Sequence, residues 1–128
     1  MDIYCFWFFT VLTLVGLVAA LVTGRCGFRK YHLRLAPLTI GFLVITIVFA
    51  ERLAMIRDFP EEEMRIHLYF AWSAAILVFP VVASGLGYRA KPALRKAHLV
   101  CVILFTIAAV AATSTGIWVY SMSTPKVG

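Results

Sequence analysis

Four apolar stretches, Ile3–Thr23, Leu33–Ala50, Ile66–Leu86 and Leu99–Tyr120, fill most of this chain and decide what it can become. Crossing a bilayer as a helix takes roughly 20 apolar residues at a rise of about 1.5 Å each. The first, third and fourth stretches meet that length. The second carries Arg34 near its start and reaches it by extending through Leu53–Ile56. Hydrocarbon offers no partner to an unpaired backbone N–H or C=O, so each stretch must be helical. The chain is 62% hydrophobic and only 14% charged, where soluble domains average about 25% charged. Short connections then predict an all-α, integral membrane, up-down-up-down four-helix bundle. It forms one transmembrane domain over residues 1–128, with spans of about 3–23, 33–53, 66–86 and 99–120. Met1–Thr10 lacks a basic n-region and the apolar run behind it is long, so the first helix is expected to stay as a span.

The net charge of +6 is a topology signal. Arg25, Arg29, Lys30 and Arg34 lie in loop Gly24–Arg34, and Arg89, Lys91, Arg95 and Lys96 in loop Gly87–His98. Arg52, Arg57, Arg65, Lys126 and every acidic residue lie on the other side. The positive-inside rule places the two basic loops in the cytoplasm and both termini outside, in a bacterial inner membrane. The partner of the basic side is the anionic headgroup layer, and nucleic acid is not implied. Tyr4, Trp7, Tyr69, Trp72, Trp118 and Tyr120 fall near outer span ends and Tyr31 and Tyr88 near inner ends, as an interfacial belt requires. In the outer loop, DFPEEE predicts a helix start with Asp58 as cap, Pro60 in the first turn and Glu61–Glu63 on the positive end of the dipole. The same acidic patch would suit a basic partner such as a soluble cytochrome c. Pro37 and Pro80 predict loosened helices on the cytoplasmic side.

The sequence RKYHL (Arg29–Leu33) returns as RKAHL (Arg95–Leu99), so the two halves read as a possible repeat of a helical hairpin. The three histidines, His32, His67 and His98, are the candidate chemistry. The stripe of His32 runs through Ala36, Thr39, Leu43, Thr46 and Ala50. That of His67 runs through Ala71, Ala74, Val78, Val81 and Gly85. That of His98 runs through Val102, Phe105, Ala109, Ala112 and Gly116. Small and hydroxyl residues of this kind mark helix–helix contacts in membranes, so the histidines are expected to face the interior. His32 and His98 start parallel spans at one depth and are candidate axial ligands of a haem b, with Arg29, Arg34 and Arg95 as propionate partners. His67, a membrane thickness away, is a candidate second site, with Met64 or Met55 as conceivable partners. The competing reading has all three histidines bonding to headgroups, water or neighbouring carbonyls.

Other chemistry is poorly served. Cys101, three residues after His98, makes at most a partial metal site. Cys5, Cys26 and Cys101 form no CxxC pair. No acid lies inside a span, against a proton-coupled exporter, and nucleophile and nucleotide motifs are absent. An enzyme is therefore not the expected reading. The basic-histidine start of span two, the histidine early in span three, the R-K start of span four and the ending TGIWVY (Thr115–Tyr120) resemble a family of small bacterial four-helix membrane proteins. That family includes assembly factors for haem–copper cytochrome oxidases. The resemblance implies a non-catalytic accessory or assembly subunit of a respiratory electron-transfer complex, associated with other membrane subunits. The alternative is a b-type cytochrome passing electrons between quinol and a partner.

Overall fold

The apolar stretches are the cores of four long helices in the computed structural model, which describes residues 1–127. They are α1 (Asp2–Arg25), α2 (Arg29–Ile56), α3 (Glu61–Ala90) and α4 (Arg95–Met122). The fold is all-α, and all four helices are long and apolar enough to cross a membrane, as a multi-pass membrane protein requires. At 24 to 30 residues they are roughly 36 to 45 Å long, against a hydrocarbon core of about 30 Å. Their ends therefore run on into the headgroup layers. The cytoplasmic loops expected from sequence shrink accordingly, and most of their basic residues sit on helix ends. The turns proper are Cys26–Phe28, with Gly27 at φ +79°, and Lys91–Leu94, which contains a short 3-10 turn.

The helices pair as two antiparallel hairpins. One unit is Met1–Asp58 with the C-terminal residues from Pro125, and the other is Phe59–Thr124. In the first, α1 packs on α2. Phe9 stacks on Phe49 at 5.8 Å and meets Phe42 at 6.2 Å, and the hydroxyls of Thr13 and Thr46 meet at 3.1 Å. Closest approach comes at Gly16, where a methyl group would stand 2.5 Å from Thr39 Oγ1. Thr39 is buried, and its hydroxyl donates to Leu35 O at 2.8 Å. Asp2 pairs with Arg52 at 3.7 Å across the open end of this hairpin. The two-residue strands β1 (Arg57–Asp58) and β2 (Thr124–Pro125) pair. Lys126 then donates from its backbone N–H to Ile56 O and from Nζ to Ala54 O. In the second hairpin α3 packs on α4, with Ala74, Ala108 and Val119 buried.

Burial is sparse, because lipid takes the place of a core. Among the described residues the buried apolar side chains are Ala20, Leu53, Ala74, Ala108 and Val119, while Phe8, Val15, Val44, Ile76, Phe79, Ile107 and many others lie exposed. That much bare hydrocarbon on a folded chain marks a lipid-facing surface. Intramembrane hydroxyls are satisfied internally. Thr10, Thr46, Thr106 and Thr113 each donate to the carbonyl four residues back.

Two local expectations are corrected. Asp58 is not the cap of α3; it lies in β1, and Pro60, extended at ψ 130°, holds the N-cap position. Proline restricts the residue before it to extended backbone, which delays the helix to Glu61. Glu61, Glu62 and Glu63 do fill the first turn, more than one turn before Ile66. Tyr88 is more than a free interfacial anchor, since its ring stacks on His98 at 6.3 Å. Both helices continue through Pro37 and Pro80.

The Gly16–Thr39 approach generates a test. Gly16→Ala is expected to destabilise the protein in detergent by about 1–3 kcal/mol through overpacking, and Thr39→Ala in the same chain should return most of that loss. Gly41→Ala, where a methyl group meets nothing within 4 Å, is expected to be neutral or slightly stabilising. Denaturant titration followed by circular dichroism measures all three.

Candidate functional site

Each histidine is seated on a glycine of the helix across its own hairpin. On α2, His32 lies over Gly24, where an added methyl would be 3.1 Å from Nδ1. On α4, His98 lies over Gly85, with Cε1 at 3.1 Å from the same construction, and on α3 His67 lies over Gly116 with Cε1 at 3.0 Å. A side chain at any of these glycines would crowd the imidazole opposite and push it back by a few tenths of an ångström. All three rings are half-buried. The small-residue stripes therefore do face inward, toward the hairpin partner: Thr39 and Ala74 are buried on them, and Gly85 and Gly116 receive the rings.

The hydrogen bond of His32 shows which of its ring nitrogens carries the proton. His32 Nδ1 is 2.8 Å from Ala20 O. A carbonyl only accepts, so Nδ1–H donates, and in the neutral ring Nε2 holds the lone pair. His67 Nδ1 is 3.2 Å from Thr115 Oγ1. Thr115 Oγ1 also meets Ala111 O at 2.7 Å, and the His67 ring bonds the backbone of Ala112. His98 Nδ1 is 3.1 Å from Ser84 Oγ, which also lies 3.1 Å from Val81 O. A histidine that ligates a metal through Nε2 is held in this way, by an Nδ1–H bond to a carbonyl or hydroxyl oxygen that orients the ring and raises its basicity.

The other candidates are placed as follows. Arg29 and Arg34 on α2 and Arg95 at the start of α4 are exposed. His32 belongs to the first hairpin and His98 to the second. His67 and His98 share a hairpin but sit near its opposite ends. Met55 is exposed in the first hairpin, and Met64 precedes His67 by one turn of α3. Cys5, Cys26 and Cys101 are free thiols. No group of three or more His, Cys, Asp or Glu side chains converges among the described residues.

Sequence reasoning found the histidines and put Gly85 and Gly116 on the right stripes. It missed the seats themselves: Gly24, Ala20, Ser84 and Thr115. A signal existed for two of them, since Ser84–Gly85 and Thr115–Gly116 repeat a hydroxyl–glycine pair. Compared with protein-family models, curated proteins and solved structures, the chain matches none.

A bulkier seat should lift the ring. Gly116→Val is expected to cost about 1–3 kcal/mol of stability by overpacking, and combining it with His67→Ala should recover most of the loss. A double-mutant cycle in detergent unfolding reads the coupling; additive losses would count against ring-on-glycine seating.

Proposed function

We propose that this chain is a small membrane subunit of a bacterial electron-transfer complex and that it binds haem b through its histidines. The observation that carries the haem reading is the 2.8 Å bond from His32 Nδ1–H to Ala20 O, which leaves Nε2 as the lone-pair nitrogen a haem iron takes as axial ligand. His98 Nδ1 lies 3.1 Å from Ser84 Oγ in the other hairpin. Haem iron, when bound, supplies one-electron redox chemistry that no side chain here provides. In the first hairpin His32 would present Nε2, with Arg29 and Arg34 as cations for the propionates; in the second, His98 and Arg95 would do so. The electron-transfer setting is supported by the motif resemblance, with RKYHL, the early His67 and TGIWVY as its residues.

A second reading, the accessory or assembly subunit without cofactor, has one observation in its favour: each imidazole already has a hydrogen-bond partner within its hairpin. There the histidines serve as latches across the helix pair. In both readings the basic turns face the cytoplasm, both termini lie outside, and exposed Glu61 and Glu62 offer a docking patch to a basic protein such as soluble cytochrome c.

Protein purified in mild detergent from haem-replete cells is expected to show a Soret band that His32→Ala weakens. A colourless protein that co-purifies with an oxidase, whose level falls on deletion, would select the cofactor-free reading. Orientation has its own check. In intact spheroplasts, exposed Cys26 should resist a membrane-impermeant maleimide and react with a permeant one, with the reverse result overturning the topology.

A further inference from the structure

We propose that the acidic end of α3 holds one molecule of phosphatidylethanolamine, with its phosphate on Arg65, its ammonium on Glu62 and an acyl chain along Ile66 and Phe70. The inference is independent of the haem and assembly readings and of which way up the chain inserts. It needs only that α3 spans a membrane.

α3 is 30 residues long, roughly 15 Å longer than the hydrocarbon core is thick, so its first turns stand at headgroup depth. There Arg65, Ile66, Tyr69 and Phe70 line an open, largely apolar groove of about 360 Å³. Tyr69 and Phe70 meet edge to face with ring centroids 5.6 Å apart, which gives the groove an aromatic side. Ile66 and Tyr69 are exposed, at 48% and 71%, so the groove is entered from the bilayer.

Charge selects the occupant. Arg65 and Glu62 are both exposed, and neither forms an ion pair within 4 Å with another described residue. Residues three and four apart share a helix face, and Glu62, Arg65, Ile66 and Tyr69 keep that spacing. Along the helix axis Glu62 stands roughly 4.5 Å farther from the membrane centre than Arg65, and Tyr69 roughly 6 Å nearer to it. From water inwards, this face offers a carboxylate, a guanidinium, a phenol and then hydrocarbon. An ethanolamine phospholipid offers an ammonium, a phosphate, ester groups and acyl chains in the same order. Helical side chains lean toward the N-terminus, which carries the Tyr69 hydroxyl outward to the ester level. Guanidinium on phosphate, and ammonium on carboxylate, are charge-assisted hydrogen bonds. A head of net negative charge would meet repulsion from Glu61, Glu62 and Glu63. A choline head has no N–H to give Glu62.

The test titrates the full chain in mild detergent with phosphatidylethanolamine, phosphatidylcholine or phosphatidylglycerol of identical acyl chains. Native mass spectrometry counts bound lipid, and circular dichroism confirms that each variant is folded. One equivalent of phosphatidylethanolamine is expected to bind roughly fivefold more tightly than either other lipid. Arg65→Gln should weaken the ethanolamine and choline lipids alike, while Arg65→Lys, which keeps the charge, retains most of the binding. Glu62→Gln should weaken the ethanolamine lipid alone, bringing it level with the choline lipid. Arg89→Gln, an equal loss of charge at the opposite end of α3, should change nothing. Equal binding of the three lipids, or unchanged binding in Arg65→Gln, would overturn the proposal. So would a preference for phosphatidylglycerol that Arg89→Gln abolishes, since that places the lipid at the basic end.

Discussion

The structure depends on how closely two helices can approach where lipid gives them no hydrophobic reason to do so. Hydrocarbon solvates leucine as well as another helix does, so association rests on packing and on polar groups that find each other. Gly16, Gly24, Gly85 and Gly116 supply the approach, and each receives a polar or aromatic group from across its hairpin: Thr39, His32, His98 and His67. The polar bonds follow from the approach, since Ala20 O, Ser84 Oγ and Thr115 Oγ1 come within reach of imidazole only where the backbone is open.

This explains why so few buried side chains suffice. The helices need not exclude solvent from a large core, because their outer faces remain in lipid. They need a narrow seam in which the threonine and serine hydroxyls and the Nδ1 atoms of the imidazoles find partners. The threonines satisfy themselves on their own helices and can still meet a neighbour, as Thr13 and Thr46 do. The same seam holds each imidazole by its Nδ1 and fixes the tautomer of His32, so packing and ring orientation are one arrangement.

Much of this was legible in the sequence. Span length and hydropathy gave the four helices, and the stripes through Thr39, Ala74, Gly85 and Gly116 gave their facing sides, because helical periodicity is a local property. Helix ends were less legible. Basic residues at Arg25–Arg34 read as loop, yet all four of them, Arg25, Arg29, Lys30 and Arg34, lie in helices, since the headgroup region tolerates both charge and helix. Asp58 read as a cap from its residue type, whereas Phe59–Pro60 forces extended backbone after it. The seats of the histidines were beyond a local reading. Which residue of α4 lies opposite His67 is set by the antiparallel register of the hairpin, and that depends on the turn at Lys91–Leu94 and on every contact between.

The like-built ends of the α3–α4 hairpin carry a consequence for insertion. A rotation that exchanges the two helices lays His67 where His98 was and Thr115–Gly116 where Ser84–Gly85 was. The seam would therefore be satisfied in either direction across the bilayer, and interhelical packing carries almost no information about which way up the hairpin goes. What distinguishes the two ends is charge: Arg89, Lys91, Arg95 and Lys96 at one and Glu61–Glu63 at the other. Helix packing and end charge are thus carried by separate residues, so either can change without disturbing the other.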